Sequence, residues 1–156
     1  MSSHTPSKPN YFAIGDFRYA IRRFLNFSAG AARDAGLEPQ QYQLLLAIKG
    51  LPPSVDPTVG TLAGRMVIRH HSTVELINRL EARRLVRRSH NPRDHREVFL
   101  RLTPSGECMV EQIAAVHSVE LQTAGRELIA TLEEILKPAD RPVRKFRSVS
   151  KLRERS

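Results

Sequence analysis

Residues 58–102 carry the strongest structural signal in the chain: TVGTLAGRMVIRHHSTVELINRLEARRLVRRSHNPRDHREVFLRL. Thr58 is a typical helix cap, and the short apolar-periodic segment that follows it predicts one helix. A second segment with helical spacing begins after only a few residues, and Asn91-Pro-Arg-Asp94 lies between two stretches that predict strands. Two short helices joined by a tight turn and followed by a basic hairpin predict a winged helix-turn-helix, with bounds at residues 39–102.

Helical segments flank this unit on both sides. Apolar residues recur at spacings of three and four over residues 13–36, which predicts a helix that ends at Gly36. Residues 103–136 predict two consecutive helices, the second beginning at Thr123. A minimal winged helix needs neither flank, so we expect their apolar stripes to pack against a second copy of the chain. The predicted fold is mainly α (α+β), a winged helix-turn-helix with N- and C-terminal dimerisation helices at 13–36 and 103–136.

The same periodicity assigns side chains to the interior. In the first helix the predicted inward positions are Phe17, Ile21, Phe24, Leu25, Ser28, Ala31 and Ala32. In the second helix, which opens at Pro39, they are Tyr42, Leu45, Leu46 and Ile48. Over residues 70–84 they are Thr73, Val74, Ile77 and Leu80, and in the second strand Val98, Leu100 and Leu102 alternate with Phe99 and Arg101.

Positive charge is concentrated in two segments. The 156 residues carry 25 Lys+Arg against 16 Asp+Glu, a formal net charge of +9. Residues 83–101 hold seven arginines against two acidic residues, and residues 137–156 hold eight Lys/Arg against two. An excess of this size favours a polyanionic partner, most simply nucleic acid. We expect a single domain over residues 13–136, with residues 1–12 a flexible start and residues 137–156 a basic, disordered tail.

Two groups of side chains are predicted to contact double-stranded DNA. The outer face of the second helix of the pair offers groups that bond to base edges or phosphates, at His70, His71, Ser72, Glu75, Asn78 and Arg79. The basic hairpin suits phosphates and the narrow minor groove, and its predicted contacts are Arg87, Arg88, Arg93, Asp94, His95 and Arg96. Each group could instead be an ordinary solvated surface. Because the helix and the basic hairpin follow each other directly in sequence, we favour a DNA interface. Asp94 is expected to orient the Arg96 side chain by a local ion pair.

These residues resemble the MarR family of bacterial transcriptional regulators over about residues 14–136. The likeness includes Ser72-Thr-Val-Glu-Leu-Ile-Asn-Arg-Leu-Glu-Ala-Arg-Arg-Leu-Val86, and its most specific part is Asp94-x-Arg96 followed by Leu102-Thr103-x-x-Gly106. The resemblance implies a homodimer that binds a pseudo-palindromic operator, usually as a repressor. It also implies that Arg96 is the wing arginine of the minor groove and that Asp94 orients it.

The chain departs from the family pattern at both ends of the predicted recognition helix. Family members usually carry glycine where Arg84 stands, so we expect a less tightly defined helix end there, or an added phosphate contact. The Ser or Thr that often caps this helix is replaced by Arg69-His70-His71.

The resemblance also implies regulation by a small molecule, often a phenolic or aromatic acid bound between the dimer helices and the winged helix. Phe17, Tyr19, Phe24 and Tyr42 would line such a pocket, although aromatic residues at helical spacing also suit a plain core. Two alternatives stay open. One is a redox-responsive regulator that uses the single cysteine, Cys108, and the other is an effector-independent architectural DNA-binding protein.

The sequence lacks the motifs that would indicate an enzyme, a metal site or a membrane protein. The sequence contains no nucleotide-binding glycine loop, no Gly-x-Ser-x-Gly elbow and no His-Glu-x-x-His, so we expect no enzyme. Its histidines lack metal-ligand spacing, and we expect no metal and no cofactor. No apolar run approaches the roughly 18 residues of a membrane span, and one cysteine fits a reducing compartment. The predicted location is cytoplasmic, without a membrane partner and with a small-molecule effector as a candidate partner.

Overall fold

The computed structural model describes residues 10–91, 94 and 96–137. Within them the chain forms five helices and one antiparallel sheet of two strands. The elements are α1 (Tyr11–Asp34), α2 (Pro39–Lys49), α3 (Val59–Met66), α4 (His70–Ala82), β1 (Val86–His90), β2 (Val98–Leu102) and α5 (Pro104–Leu136). The strands pair in register from Val86 opposite Leu102 to His90 opposite Val98. The mainly α class and the winged helix-turn-helix are confirmed.

One hydrophobic core joins the winged unit to the flanking helices. It takes side chains from all five helices and both strands. Its fully buried members include Leu62 on α3, Ile77 and Leu80 on α4, and Leu100 on β2. Because apolar burial stabilises each of these contacts, α4 is held by one side and leaves the opposite side to solvent.

Several interior predictions fail where consecutive apolar residues compete for one face. Leu25 and Leu46, predicted to point inward, are 50% and 42% exposed. The structure instead buries Leu44 and Leu76, which the periodicity did not select. Successive helical residues are about 100° apart, so three leucines in a row cannot all face the core. Phe99, assigned to the outer face of β2, is buried as well.

The C-terminal flank is a single helix of 33 residues, so the predicted break before Thr123 is wrong. The segment contains no proline after Pro104, and each added residue contributes one more backbone hydrogen bond. Gly125 costs the helix about 1 kcal/mol relative to alanine, which is too little to end it. The chain start differs too, because α1 already begins at Tyr11, where the Asn10 side chain accepts a hydrogen bond from the Ala13 N–H. Residues 1–9 and 138–156 lie outside the described residues.

The start of α5 lies against the turn that follows α4. The Thr103 hydroxyl donates to the Arg84 carbonyl at 2.6 Å and accepts from the Gly106 N–H at 3.1 Å. The Thr103 N–H donates to the Leu85 carbonyl. A Cβ at Gly106 would lie only 2.0 Å from the same Leu85 oxygen. Position 106 therefore requires glycine, and α5 begins in direct contact with the end of the α4 segment.

Three helices end with the same left-handed closure. The residues with positive φ are Gly36 (φ 75), Val67 (φ 54) and Arg84 (φ 58). At the end of α4 the Arg84 N–H donates to the Glu81 carbonyl and the Leu85 N–H to the Leu80 carbonyl, a complete Schellman pair. The expectation of a loosely defined end at Arg84 is therefore wrong. The backbone closes as it would with glycine, since the buried Leu80 and Leu85 hold it.

Val67 should be the most strained of these closures, because a β-branched side chain disfavours the left-handed region. Its side chain is 89% exposed and contributes little burial. Asparagine tolerates this conformation, so Val67→Asn is expected to raise the free energy of unfolding by about 1 kcal/mol. Urea denaturation measures the change, and Val55→Asn, at an exposed loop valine without positive φ, is the matched control. Equal or lower stability of the Val67 variant would contradict the assigned strain.

Candidate nucleic-acid interface

The outer face of α4 collects the predicted recognition-helix residues. Thr73, Leu76, Ile77 and Leu80 anchor the inner side of the helix. The opposite side presents exposed His70, His71, Glu75, Asn78 and Arg79, with Ser72 half-buried beside them. The structure thus brings all six side chains to one surface. Whether each contacts DNA stays a prediction.

The first turn of α4 has no side-chain cap. Its N-cap residue, Arg69, makes no capping hydrogen bond through its side chain, whereas the Arg69 carbonyl accepts from the Thr73 hydroxyl at 3.1 Å. The first backbone N–H groups of a helix lack partners within the helix. At this end they point toward solvent together with the partial positive charge of the helix, an arrangement that suits a phosphate.

Arg88 connects the hairpin to α4. Its Nη2 donates to Oδ1 of Asn78 at 2.7 Å, and its Nη1 forms an ion pair with the Glu81 carboxylate. Arg88 was predicted as a wing contact to DNA, but in this structure its guanidinium is engaged by two side chains of the recognition helix. The sequence could not reveal this link, because it joins a strand to a helix through tertiary packing.

Arg87 lies on the other face of the hairpin, since neighbouring residues of a strand point to opposite sides. It is paired in register with Arg101, whose Nε donates to the Ser89 hydroxyl at 3.2 Å. No ion pair joins either arginine to a carboxylate of the described chain. Because like charges directly across a sheet repel each other, this pair favours an anion on the outer face. Arg101 was not predicted as a contact, and its register with Arg87 is the signal that identifies it.

The tip of the hairpin is held by backbone contacts. Oδ1 of Asp94 accepts from the Arg96 N–H at 2.9 Å, and the Asp94 carbonyl accepts from the Glu97 N–H. The predicted Asp94–Arg96 ion pair is therefore wrong in its atoms, because the carboxylate orients the Arg96 backbone rather than its guanidinium. Asn91 closes the base of the loop through its side chain, which donates to Glu97 at 2.8 Å. Arg93 and His95 lie outside the described residues.

A buried histidine that the sequence analysis missed lies at the centre of the aromatic residues. Nδ1 of His117 is 2.7 Å from the Tyr42 hydroxyl, and the rings of Tyr42, Phe27 and Phe24 are 4.9, 5.9 and 6.0 Å from its ring. Its Nε2 is buried without a hydrogen bond within the described chain. His117 follows Val110 and Ile113 on the buried side of α5, and this spacing is the signal that could have found it.

The predicted effector-pocket residues divide between two environments. Phe24 and Tyr42 contact His117, and burial raises the pKa of the Tyr42 hydroxyl. Phe17 is half-buried, whereas Tyr19 is 56% exposed and lies under the Arg23 guanidinium. The structure thus brings together two of the four side chains and leaves Tyr19 at the surface.

A cavity of about 430 Å³ lies between α1 and α5. Phe27 belongs both to its wall and to the aromatic contacts of His117. The wall is mostly apolar, with one carboxylate and one amide, and is formed by Phe27, Gly30, Ala31, Asp34, Ala35, Gln112, Ile113 and Val116. This volume suits a small organic molecule.

Comparison with known proteins places the winged unit in a family. Residues 35–97 match the family model described as MarR family. The matched stretch runs from the end of α1 to just before β2. A curated relative, the "Uncharacterized HTH-type transcriptional regulator YsmB" of Bacillus subtilis (strain 168), is 36% identical over 58 residues, which cover 37% of this chain. The match spans only 40% of that relative's length.

Two solved structures share the fold of this chain over the flanking helices as well as the winged unit. AbsC, a MarR family transcriptional regulator from Streptomyces coelicolor, gives a TM-score of 0.67 at 20% identity, over 86% of this chain and 95% of AbsC. BpsR of Bordetella bronchiseptica gives a TM-score of 0.60 at 23% identity, over 88% of this chain and 100% of BpsR. The structure of BpsR is titled as a mechanism for regulation of its DNA binding by 6-hydroxynicotinic acid.

The described residues contain neither a candidate membrane span nor a candidate metal cluster. Between residues 10 and 137, leaving out 92, 93 and 95, no helix has the length and apolar character to span a bilayer. The same residues contain no group of three or more His, Cys, Asp or Glu side chains placed to hold a metal ion. Cys108, the residue of the redox alternative, is exposed, and its Sγ accepts a hydrogen bond from Gln112.

His117 should make stability fall in mildly acidic solution. Burial lowers the pKa of its imidazole below the usual 6.5. Below pH 6.5 this histidine is protonated in the unfolded chain but stays neutral in the folded chain. As the pH decreases, the free energy of unfolding therefore falls, by at most about 1.4 kcal/mol per pH unit. Chemical denaturation at pH 7.5 and 5.5 should show a smaller fall for His117→Gln than for the wild type. An equal fall would mean that His117 is readily protonated in the fold.

Proposed function

We propose that this protein is a regulator of the MarR family, a sequence-specific DNA-binding transcription regulator that acts as a homodimeric repressor. The observation that carries the proposal is the exposed polar face of α4 next to an arginine-rich hairpin. Side chains of this kind on the second helix of a helix-turn-helix suit base edges in the major groove. The exposed guanidiniums of the hairpin suit phosphates, which supply affinity but carry no sequence information.

Exposed apolar side chains on the flanking helices support a dimer. Of the fourteen large apolar residues exposed in the described chain, eleven lie on α1 and α5. They are Tyr11, Phe12, Ile14, Tyr19, Leu25, Val116, Val119, Leu121, Ile129, Leu132 and Leu136. Monomeric proteins seldom expose so much apolar surface in one region. A second copy that covers it through a two-fold axis would place two α4 helices on two half-sites of a pseudo-palindrome.

The dimer makes a direct prediction about α5. Val119→Glu and Ile129→Glu each place a charge at a strongly exposed apolar position of α5, 69% and 59% exposed, and we expect each to shift the protein from dimer to monomer. Sedimentation velocity at micromolar concentration measures the shift. Val55→Glu, at an exposed valine outside the flanking helices, should remain dimeric. If both α5 variants remain dimeric, the dimer interface does not include this face of α5.

The experiment that tests DNA recognition is a selection of bound fragments from a randomised DNA pool at physiological salt. A regulator should enrich a pseudo-palindrome with half-sites about one helical turn apart, and prefer it over random DNA by about 10³-fold or more. Failure to enrich any motif would favour the architectural alternative, in which binding is electrostatic and indifferent to sequence.

The hairpin tip gives a matched set of variants for the selected operator. Arg96→Ala should weaken binding by roughly 10- to 100-fold, because it removes a groove contact. Asp94→Ala should also weaken binding, since it removes the acceptor that holds the Arg96 N–H, whereas Asp94→Asn keeps an acceptor and should bind like the wild type. Fluorescence anisotropy measures the affinities. Equal losses in both Asp94 variants would show that the carboxylate charge matters instead.

We further infer that a small aromatic molecule releases the protein from DNA by binding between α1 and α5. The cavity of about 430 Å³, its shared wall residue Phe27 and the half-satisfied His117 support this site, and BpsR is titled as regulated by an aromatic acid. Displacement of labelled operator by hydroxybenzoic and hydroxypyridine carboxylic acids tests the idea. A set of such acids that neither binds nor displaces DNA would leave the redox-responsive regulator as the alternative.

A further inference from the structure

We propose that Arg88 is a positioning residue that fixes the side-chain amide of Asn78 and thereby sets which base Asn78 recognises. The inference rests on the proposed DNA binding, because it assigns a role to a contact between the hairpin and the recognition helix. Arg88 does not itself contact a base in this scheme. It acts through Asn78, with Glu81 as its anchor.

The geometry joins one guanidinium to two side chains on α4. Arg88 lies on β1 opposite Leu100. Its two terminal nitrogens bind different partners: Nη2 donates to Oδ1 of Asn78, and Nη1 pairs with the Glu81 carboxylate. Asn78 and Glu81 are three residues apart, so they lie next to each other on the helix surface. The Arg88 and Glu81 side chains are only 35% and 37% exposed, and the pair is therefore less screened than a freely solvated one.

The chemistry of arginine determines which way the amide points. A guanidinium has only hydrogen-bond donors, so the Asn78 atom beside it must be the oxygen rather than the nitrogen. The contact removes the two-fold choice that a free asparagine side chain has about its last torsion. The Nδ2 group, with two donors, is left for a ligand on the exposed side of α4.

A fixed amide of this orientation favours particular bases. Asparagine binds adenine through both ends, accepting from N6 and donating to N7. An oxygen already turned toward Arg88 is poorly placed for the first of these bonds. The free N–H donors match an edge with acceptors only, and guanine offers N7 and O6 side by side in the major groove. The wild-type protein should therefore prefer guanine over adenine at the position that Asn78 contacts.

A direct contact of Arg88 with a DNA phosphate would have different effects on binding. If Arg88 left Asn78 and Glu81 on binding and moved to a phosphate, its removal would lower the salt dependence of binding by about one unit of slope, with uniform losses across sequences. A positioning residue changes the base preference and leaves the slope unaltered. Salt dependence and base preference together therefore separate the two roles.

The test compares selections from a randomised DNA pool for the wild type, Arg88→Ala and Arg87→Ala. Arg87 is the matched control, because it is the next residue of the same strand and faces the opposite side. We expect Arg88→Ala to change the guanine-to-adenine ratio of affinities at one position per half-site by roughly fivefold or more, with Arg87→Ala keeping the wild-type motif. In Asn78→Ala the same DNA position should lose its preference for guanine over adenine. Adding Arg88→Ala to that variant should not change the base preference further.

Conservative variants keep the test independent of folding. Arg88→Lys keeps the positive charge but lacks the planar fork that spans both partners, so it should shift the motif like alanine. Glu81→Ala leaves Asn78 and Arg88 in place and removes only the anchor, which should give a partial shift. A wild-type protein that selects no motif would overturn the proposed function itself. A wild-type motif that persists in Arg88→Ala, or a reduced salt slope without a changed motif, would overturn the positioning role alone.

Discussion

Burial of one side of α4 organises the whole molecule. Ile77 and Leu80 are completely buried, and the core around them takes side chains from every helix and both strands. Apolar burial has no direction of its own, so the orientation of α4 comes from the position of these side chains along the helix. Burial of the apolar side of α4 thus determines which polar side chains remain exposed and available to DNA.

The flanking helices share this core. Tyr42 of α2 belongs to it and also contacts His117 of α5, and the Arg23–Glu127 ion pair joins α1 to α5 at 3.0 Å. The winged unit and the flanks therefore share one hydrophobic core and are joined by polar contacts as well. A change in the packing of α1 on α5 has a direct physical route to the surface of α4, through close-packed side chains.

Local signals predicted much of the fold. The cap at Thr58, the closure at Gly36 and the hairpin of β1 and β2 each involve residues close together in sequence, and the sequence shows them directly. The errors come from tertiary contacts. The partners of Arg88 and His117 lie on other elements, so the pattern within one element does not identify them. The spacing of Val110, Ile113 and His117 does, however, place the histidine on the buried side of α5. The recognition face was grouped correctly because it is the solvent side of one helix.

The close contact at Gly106 ties the start of α5 to the winged unit. With no room for even a Cβ against the Leu85 carbonyl, the backbone of α5 packs directly on the end of the α4 segment, so a tilt of α5 would press on that end. A helix of 33 residues is about 50 Å long, at 1.5 Å per residue. A tilt of about 5° shifts its ends by roughly 4 Å relative to each other, close to the 3.4 Å rise of one base pair. In a dimer, a modest swing of this lever would put the two half-sites out of phase with the protein.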